Sequence, residues 1–173
     1  MPLTLPLQGG CICGQLRYQI ANAPLAVLMC HCRNCQQRTG SAFSLSMLTF
    51  RRDFAVTAGE SLWRDLPGGS GDLHRQHICP DCFTRTHTEM LGHPDIINVR
   101  PGTLDDATIA VPIAQAWTSL AHPWAIAPDV RGFEENPTDV EGLVAEWRGR
   151  LLNRPPLPPA HPGESRDPGK GSV

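Results

Sequence analysis

A chain of 173 residues, 40% of them hydrophobic, is long enough to bury the core of one ordinary globular domain. Its net charge of -2 argues against nucleic acid as a partner, because domains that bind nucleic acid usually carry a concentrated basic surface. The N-terminal residues lack a signal-peptide pattern, and no apolar run approaches the roughly 20 residues that span a bilayer. We therefore expect a cytoplasmic protein that binds no membrane and whose seven cysteines serve metal binding or catalysis rather than disulfides. The sequence indicates no oligomeric state.

Up to about residue 135 the sequence has the pattern of short strands separated by turns. Residues 16–20 alternate apolar and polar side chains, which predicts a strand with Leu16, Tyr18 and Ile20 on one face. Turns rich in glycine and proline separate further segments with β-compatible residues. In chain order these segments are 25–29, 43–50, 54–57, 61–65, 73–78, 84–90, 96–100 and 113–117. The spacing predicts a mainly β protein, folded as an antiparallel β-sandwich-like structure or an open barrel.

A single C-terminal helix is predicted after these strands. Thr138 and Glu141 have the spacing of a capping box. Apolar residues then recur at helical spacing, at Val140, Leu143, Val144, Trp147 and Leu151. We predict an amphipathic helix over 138–152 that packs on a β domain formed by residues 1–137. Residues 153–173 are rich in proline without apolar periodicity, which predicts a disordered tail.

Four of the seven cysteines form two closely spaced pairs. Cys11 and Cys13 form a C-x-C pair, whose side chains point to one face if the backbone is extended. Cys79 and Cys82 form a C-x-x-C pair, and the tight turn of such a pair also brings two sulfur atoms together. Four thiolates are the usual tetrahedral ligand set of a structural zinc ion. The sequence therefore predicts a structural zinc site that joins the two pairs.

The remaining cysteines, Cys30, Cys32 and Cys35, form a group of three. A zinc ion with three protein ligands keeps one coordination position for water or substrate, which distinguishes catalytic sites from structural ones. A thiol that binds at this position does so as the thiolate and is activated for attack on a carbonyl group. We therefore predict a second, catalytic zinc ion, and two Zn²⁺ per chain.

Three alternative interpretations stay open. A histidine could complete the group of three as a structural Cys₃His site, although His31 is poorly suited because it lies between two ligands. The remote histidines that could do so are His74, His77, His87 and His93. The cysteines could instead bind an iron–sulfur cluster. If both metal ions are structural, the protein is a noncatalytic zinc-scaffolded protein-binding module.

The order of these motifs resembles that of the glutathione-dependent formaldehyde-activating (GFA) or centromere protein V family. The matching stretches are GGCICGQLRY (9–18), CHCRNCQQRTGSAF (30–43), CPDC (79–82), PGTLDD (101–106) and, more weakly, AWTSLAHPW (116–124). The resemblance implies a β-rich zinc-binding fold. It also implies a structural zinc ion at Cys11, Cys13, Cys79 and Cys82, and a catalytic zinc ion at the group of three.

The resemblance further implies a carbon–sulfur lyase-type activity like that of S-(hydroxymethyl)glutathione synthase. In this reaction the thiol of glutathione adds to formaldehyde, so a small thiol such as glutathione is the implied partner. Gly40 and Ser41 are candidate substrate-binding residues through backbone and hydroxyl hydrogen bonds. Candidates to bind the glutathione carboxylates are Arg17, Arg33 and Arg38.

One residue departs from the family pattern. Phe83 follows the C-x-x-C pair, where the family usually has glycine. A turn of this kind often requires a positive φ at that position, which an aromatic residue adopts only with strain. We therefore expect either a distorted turn or a strained Phe83.

Overall fold

Eleven strands form two sheets in the computed structural model, which describes residues 3–153. The strands are β1 (Leu7–Gly10), β2 (Arg17–Ile20), β3 (Ala26–Cys30), β4 (Ser44–Phe50), β5 (Phe54–Ala58), β6 (Leu62–Pro67), β7 (Leu73–Ile78), β8 (Arg85–Met90), β9 (Ile96–Val99), β10 (Ala114–Ala116) and β11 (Arg131–Gly132). The protein is thus mainly β, and each predicted strand is present with bounds that differ by no more than two residues.

The two sheets differ in size and strand direction. The small sheet has the antiparallel order β1-β2-β5, and the large sheet has the order β11-β10-β3-β4-β9-β8-β7-β6. Neighbouring strands of the large sheet are antiparallel except that β10 runs parallel to both β3 and β11. Strand β1 was not predicted because its sequence, LQGG, has little β propensity. Its Gly9 lies against the Tyr18 ring, where a Cβ atom would overlap the phenol group.

The hydrophobic core lies on one face of the large sheet. Val27, Met47 and Val99 occupy paired positions on β3, β4 and β9, and all three are fully buried. Tyr18 and Ile20 of the small sheet belong to the same cluster of buried side chains. Because side chains alternate along a strand, the neighbouring positions of the large sheet face away from this core.

Two α-helices complete the fold, α1 (Arg33–Thr39) and α2 (Val140–Leu152). Helix α2 agrees with the predicted C-terminal helix. Its N-cap is Asp139 rather than Thr138, because the Asp139 carboxylate accepts a hydrogen bond from the Gly142 amide at 3.0 Å. Helix α1 was not predicted, since its seven residues are polar and carry no apolar periodicity.

No helix within residues 3–153 has the length and apolar character needed to span a membrane. The predicted disordered tail begins at residue 153, and residues 154–173 lie outside the described part of the chain.

Two histidines stack inside the molecule, between the sheets. The rings of His77 and His87 have centroids 4.2 Å apart and are nearly parallel. His87 is 4% exposed, and its Nδ1 lies 3.0 Å from the Thr86 hydroxyl. Burial, together with the smaller effects of the nearby His77, Arg51 and Arg100, lowers the pKa of His87 to about 3.

We predict that His87 makes the protein less stable in acid. Below its ordinary pKa of 6.5, the unfolded chain takes up a proton that native His87 binds only near pH 3. Stability therefore falls as the pH decreases through this window, by about 2 kcal/mol between pH 7 and pH 5 for this group. Urea unfolding at the two pH values measures the loss.

The His87→Gln variant removes this titrating group and should lose about 2 kcal/mol less than the wild type over the same interval. The exposed His93 supplies the matched control, and His93→Gln should follow the wild type. Equal pH dependence of the wild type and His87→Gln would contradict the prediction.

Candidate metal centres

The first cysteine group lies where the two sheets meet. Cys11 directly follows β1, and a tight turn returns the chain so that the Cys11 amide donates to the Leu16 carbonyl at 2.9 Å. Cys79 directly follows β7, and its amide donates to the Thr84 carbonyl at 2.9 Å in the turn that leads to β8. Two tight turns thus bring residues that are far apart in the chain to one place.

All four sulfur atoms of this group lie within 4.8 Å of one another. The sulfur atoms of Cys11 and Cys13 are 3.3 Å apart, and those of Cys13 and Cys79 are 3.7 Å apart. All four cysteines are free thiols, with no disulfide among them. Four converging sulfur atoms fit the tetrahedral ligand set of zinc, so this group can hold a metal ion.

Nearby donors favour the thiolate form of Cys11 and Cys82. The Leu16 amide donates to the Cys11 sulfur at 3.2 Å, and the Thr84 hydroxyl lies 3.2 Å from the Cys82 sulfur. Burial opposes ionisation of Cys82, but hydrogen bonds from the Thr84 hydroxyl and amide lower its pKa to about 6. Since metal ions bind the thiolate, these contacts prepare Cys11 and Cys82 to act as metal ligands.

Phe83 itself adopts the conformation that the family pattern assigns to glycine. Its φ is 57°, and its amide donates to the Cys79 carbonyl at 3.0 Å, which closes the turn. The Phe83 side chain is 70% exposed and therefore gains little from packing. Of the two expected outcomes, the structure therefore has the strained Phe83 and not the distorted turn. The positive φ costs the Phe83 backbone roughly 1–2 kcal/mol.

The second cysteine group forms at the junction of β3 and α1. Cys30 is the last residue of β3, Cys32 is the N-cap of α1, and Cys35 lies in its first turn. The three sulfur atoms lie within 4.8 Å of one another. Hydrogen bonds from the Cys30 and Cys35 thiols lower the pKa of Cys32 to about 2, against the effect of burial. The group is therefore a compact set of three sulfur ligands that can hold a metal ion.

A loop and an indole ring cover one side of this second group. Cys32 is 3% exposed. A Cβ atom on Gly69, in the loop between β6 and β7, would lie 3.1 Å from the Cys32 sulfur and 3.1 Å from the Trp117 Nε1. Trp117 has a φ of 60° and donates from Nε1 to the Asn136 side chain at 3.0 Å. The structure thus adds Gly69 and Trp117 to the site, which sequence reasoning did not assign to it.

No histidine completes the second group within residues 3–153. No His nitrogen or carboxylate oxygen in this part of the chain lies within 4.8 Å of all three sulfur atoms. His31 is fully buried, with its Nε2 3.4 Å from the Gln115 side-chain oxygen. His74 is near enough for the Cys32 thiolate to influence its pKa, yet it does not join the ligand set. Among the described residues, the group therefore has three protein ligands.

Gly40 and Ser41 lie at the other end of α1 from Cys32. Gly40 is the C-cap, with a φ of 62°, and its amide donates to the Gln36 carbonyl at 2.9 Å. The rise along a helix places the two caps roughly 12 Å apart. Both residues are exposed. Their role in substrate binding stays a prediction.

The three arginines considered for the substrate carboxylates have different surroundings. Arg17 forms a two-pronged ion pair with Asp105, one contact of which measures 2.9 Å. Arg33 donates to the Gln36 side chain, and Arg38 donates to the carbonyl of Pro67, the last residue of β6, directly before the loop that covers the second group. Arg17 is therefore already neutralised by a carboxylate, whereas Arg38 is held close to the second group.

Comparison with known proteins identifies a family model that matches the chain. The family model described as glutathione-dependent formaldehyde-activating enzyme (GFA) matches residues 6–120, which is more than half of the chain. No curated protein matches the chain. The crystal structure of a Rhodobacter sphaeroides protein is similar at 16% sequence identity and a TM-score of 0.48, covering 73% of this chain and 99% of that chain.

The region that the family model matches contains all seven cysteines of both candidate metal centres. The chain therefore belongs to the glutathione-dependent formaldehyde-activating (GFA) family.

Proposed function

We propose that this protein is a zinc-dependent carbon–sulfur lyase-type enzyme, similar to S-(hydroxymethyl)glutathione synthase. It joins or splits a small thiol, such as glutathione, and an aldehyde, such as formaldehyde. The observation that carries this proposal is the group of Cys30, Cys32 and Cys35, which has no fourth protein ligand within residues 3–153 in a chain of the GFA family. Such a ligand set is typical of catalytic rather than structural zinc.

The two cysteine groups have different roles in this proposal. Cys11, Cys13, Cys79 and Cys82 hold the structural zinc ion, and Cys30, Cys32 and Cys35 hold the catalytic one. When bound at the second group, zinc supplies a Lewis acid that lowers the pKa of a substrate thiol. The protein keeps negative charge on the Cys32 sulfur with the amides of Asn34 and Cys35, which both lower its pKa.

The covering loop also contributes to the proposed chemistry. Gly69 lies between Cys32 and the Trp117 ring, and Cys32 is only 3% exposed to water. Exclusion of water strengthens the electrostatic interactions in the site. It also reduces competition of water with the substrate thiol. We propose that Trp117, which has a strained backbone, forms one wall of the substrate site.

The reaction needs no oxidant or other co-reactant. In the synthetic direction a bond forms between the thiol sulfur and the carbonyl carbon. The π electrons of the carbonyl group move to its oxygen, which then receives the proton that the thiol lost. In the reverse direction the carbon–sulfur bond breaks, and thiol and aldehyde are restored.

Turnover of glutathione and formaldehyde by the zinc-loaded protein tests this proposal, with Cys32→Ser as the key variant. We expect the wild type to exceed the uncatalysed rate of addition and Cys32→Ser to fall back to that rate, because the substitution removes one of three ligands. Metal analysis should show two zinc ions in the wild type and one in the variant.

Equal rates of the two proteins, no faster than the uncatalysed addition, would contradict the proposed activity. If such an inactive wild type still bound two zinc ions, the result would favour the noncatalytic zinc-scaffolded protein-binding module.

A further inference from the structure

A cavity of about 500 Å³ lies at the surface beside the C-terminal part of α2. One wall is formed by residues 108–111, and the other by α2 and its C-cap, Asn153. Ile109 and Trp147 are buried where they line the cavity, whereas Val111 is 55% exposed. The cavity is therefore an open groove with largely apolar walls, which we call the α2 groove. No cysteine is among the described residues that line it.

Gly149 lies on the wall that α2 contributes to the groove. A glycine inside a helix is less favourable than alanine, because it loses more backbone freedom on folding. Apart from the helix backbone and the neighbouring residues, a Cβ atom at Gly149 would meet no described heavy atom within 4 Å. Packing within residues 3–153 therefore does not require glycine here. Its missing side chain leaves space for a ligand to approach the backbone of α2.

Trp147 supplies a buried hydrogen-bond donor to the wall of this groove. The residue is 2% exposed, and its Nε1 has no acceptor among residues 3–153. A buried N–H group without an acceptor is costly, so an occupant with carbonyl groups is favoured. Proline-rich segments suit such a site, because each proline offers a carbonyl acceptor and no N–H donor. In other proteins, grooves lined by aromatic side chains bind segments of this kind.

The chain itself continues from the groove with a segment of this composition. Residues 154–159 read RPPLPP and follow directly on Asn153, which lines the groove. An α-helix cannot continue through Pro155 and Pro156, because proline lacks the N–H donor and its ring clashes with the preceding turn. Five residues extended at about 3.1 Å each span roughly 15 Å. This is enough to cover α2 from Glu146 to Asn153, a rise of roughly 10 Å.

Charge complementarity favours the same occupant. Thr108 lines the groove, and its amide donates to the Asp106 carboxylate at 3.0 Å. An acidic group therefore lies beside the groove. Arg154, the first residue after Asn153, carries the opposite charge at the start of the proline-rich segment. Opposite charges on a groove and on its occupant favour their association.

We propose that residues 155–159 (PPLPP) of this chain turn back after Asn153 and bind in the α2 groove. Leu157 packs against Trp147, and a proline carbonyl accepts a hydrogen bond from Trp147 Nε1. The segment covers apolar surface that the groove would otherwise leave in contact with water. This inference goes beyond the proposed function and does not depend on it. It replaces the prediction of disorder for residues 155–159 only.

NMR spectroscopy of the zinc-loaded full chain tests this inference. We expect nuclear Overhauser contacts between the Leu157 methyl groups and the Trp147 ring in the wild type. Gly149→Leu fills the groove with a residue that favours helix, so these contacts should disappear while the fold is kept. Arg148→Leu is the matched control, because it places the same side chain on an exposed part of α2 outside the groove. It should keep the contacts.

A second variant changes the segment rather than the groove. Leu157→Asp lies outside residues 3–153 and replaces the apolar side chain that enters the groove with a charged one. It should shift the indole N–H resonance of Trp147, because the segment that supplies the acceptor no longer binds. The indole resonances of the other tryptophans are the internal control and should not move; these are Trp63, Trp117 and Trp124.

A mixture of isotope-labelled and unlabelled chains shows which chain supplies the segment. Contacts within one chain that are lost in Gly149→Leu and kept in Arg148→Leu support the inference, whether or not turnover is measured. Contacts between two chains would assign the groove to a second copy and overturn it. A wild type without these contacts, contacts that survive Gly149→Leu, or an unchanged Trp147 resonance in Leu157→Asp would also overturn it.

Discussion

The Cys79→Ser variant is expected to lose one of two zinc ions and most of its folding stability. Cys79 is fully buried, and its sulfur lies 3.7 Å from that of Cys13, a residue 66 positions earlier in the chain. Binding of a structural zinc ion contributes about 10 kcal/mol or more to the folding of zinc-finger peptides at pH 7. Since a whole domain is stable by only about 5–15 kcal/mol, a loss of about 5 kcal/mol or more leaves much of the variant unfolded.

Cys32→Ser is the matched control for this prediction, because it makes the same substitution in the other cysteine group. That group joins residues only five positions apart, from Cys30 to Cys35, so its metal ion closes a much shorter loop. Chemical denaturation and metal analysis of both variants measure the difference. A Cys79→Ser protein with two zinc ions and wild-type stability would show that the first group is not a structural metal site.

Trp147→Ala is expected to reduce the free energy of unfolding by about 3–5 kcal/mol. Trp147 lies on α2, is 2% exposed and packs with Leu143 against the core side chains of the two sheets. Replacing it by alanine removes a large apolar surface and leaves a cavity that the surrounding β-strands fill only in part. Urea unfolding at neutral pH measures the loss.

Trp147→Phe distinguishes loss of packing from loss of a hydrogen bond. The Trp147 Nε1 is buried without an acceptor among the described residues, so phenylalanine keeps most of the contact area and gives up no hydrogen bond seen there. We expect it to cost less than about 2 kcal/mol. If Trp147→Ala itself costs less than about 1 kcal/mol, α2 contributes little to the core, contrary to the packing observed.

Strands β2 to β10 and helix α2 could be predicted because their signals are local. Alternation of apolar side chains identifies β2, for instance, and the apolar positions of residues 140–151 identify α2. Helix α1 could not be predicted in this way, because tertiary contacts rather than an apolar stripe hold it. The Gln36 amide of α1 donates to the His31 carbonyl at 2.7 Å and to the Leu120 carbonyl at 3.0 Å.

The residues around the second cysteine group were harder to predict than the cysteines themselves. Gly69 and Trp117 are at least 34 positions away from Cys35 in the chain. They carry no spacing signal that relates them to the cysteines. They adjoin the group because β10, which Trp117 directly follows, pairs with β3 and because the loop after β6 folds over Cys32.

The sequence by itself determined the mainly β fold, the C-terminal helix and the division of seven cysteines into groups of four and three. Short-range patterns are sufficient for these features. Apolar periodicity identifies the strands and the helix, and cysteines close together in the chain converge wherever the backbone turns tightly. Only the tertiary structure decided which distant residues surround each group. Strand order and the parallel pairing of β10 depend on contacts between segments remote in the chain. Such contacts also bring Gly69 and Trp117 to the second cysteine group, a placement that no local pattern encodes.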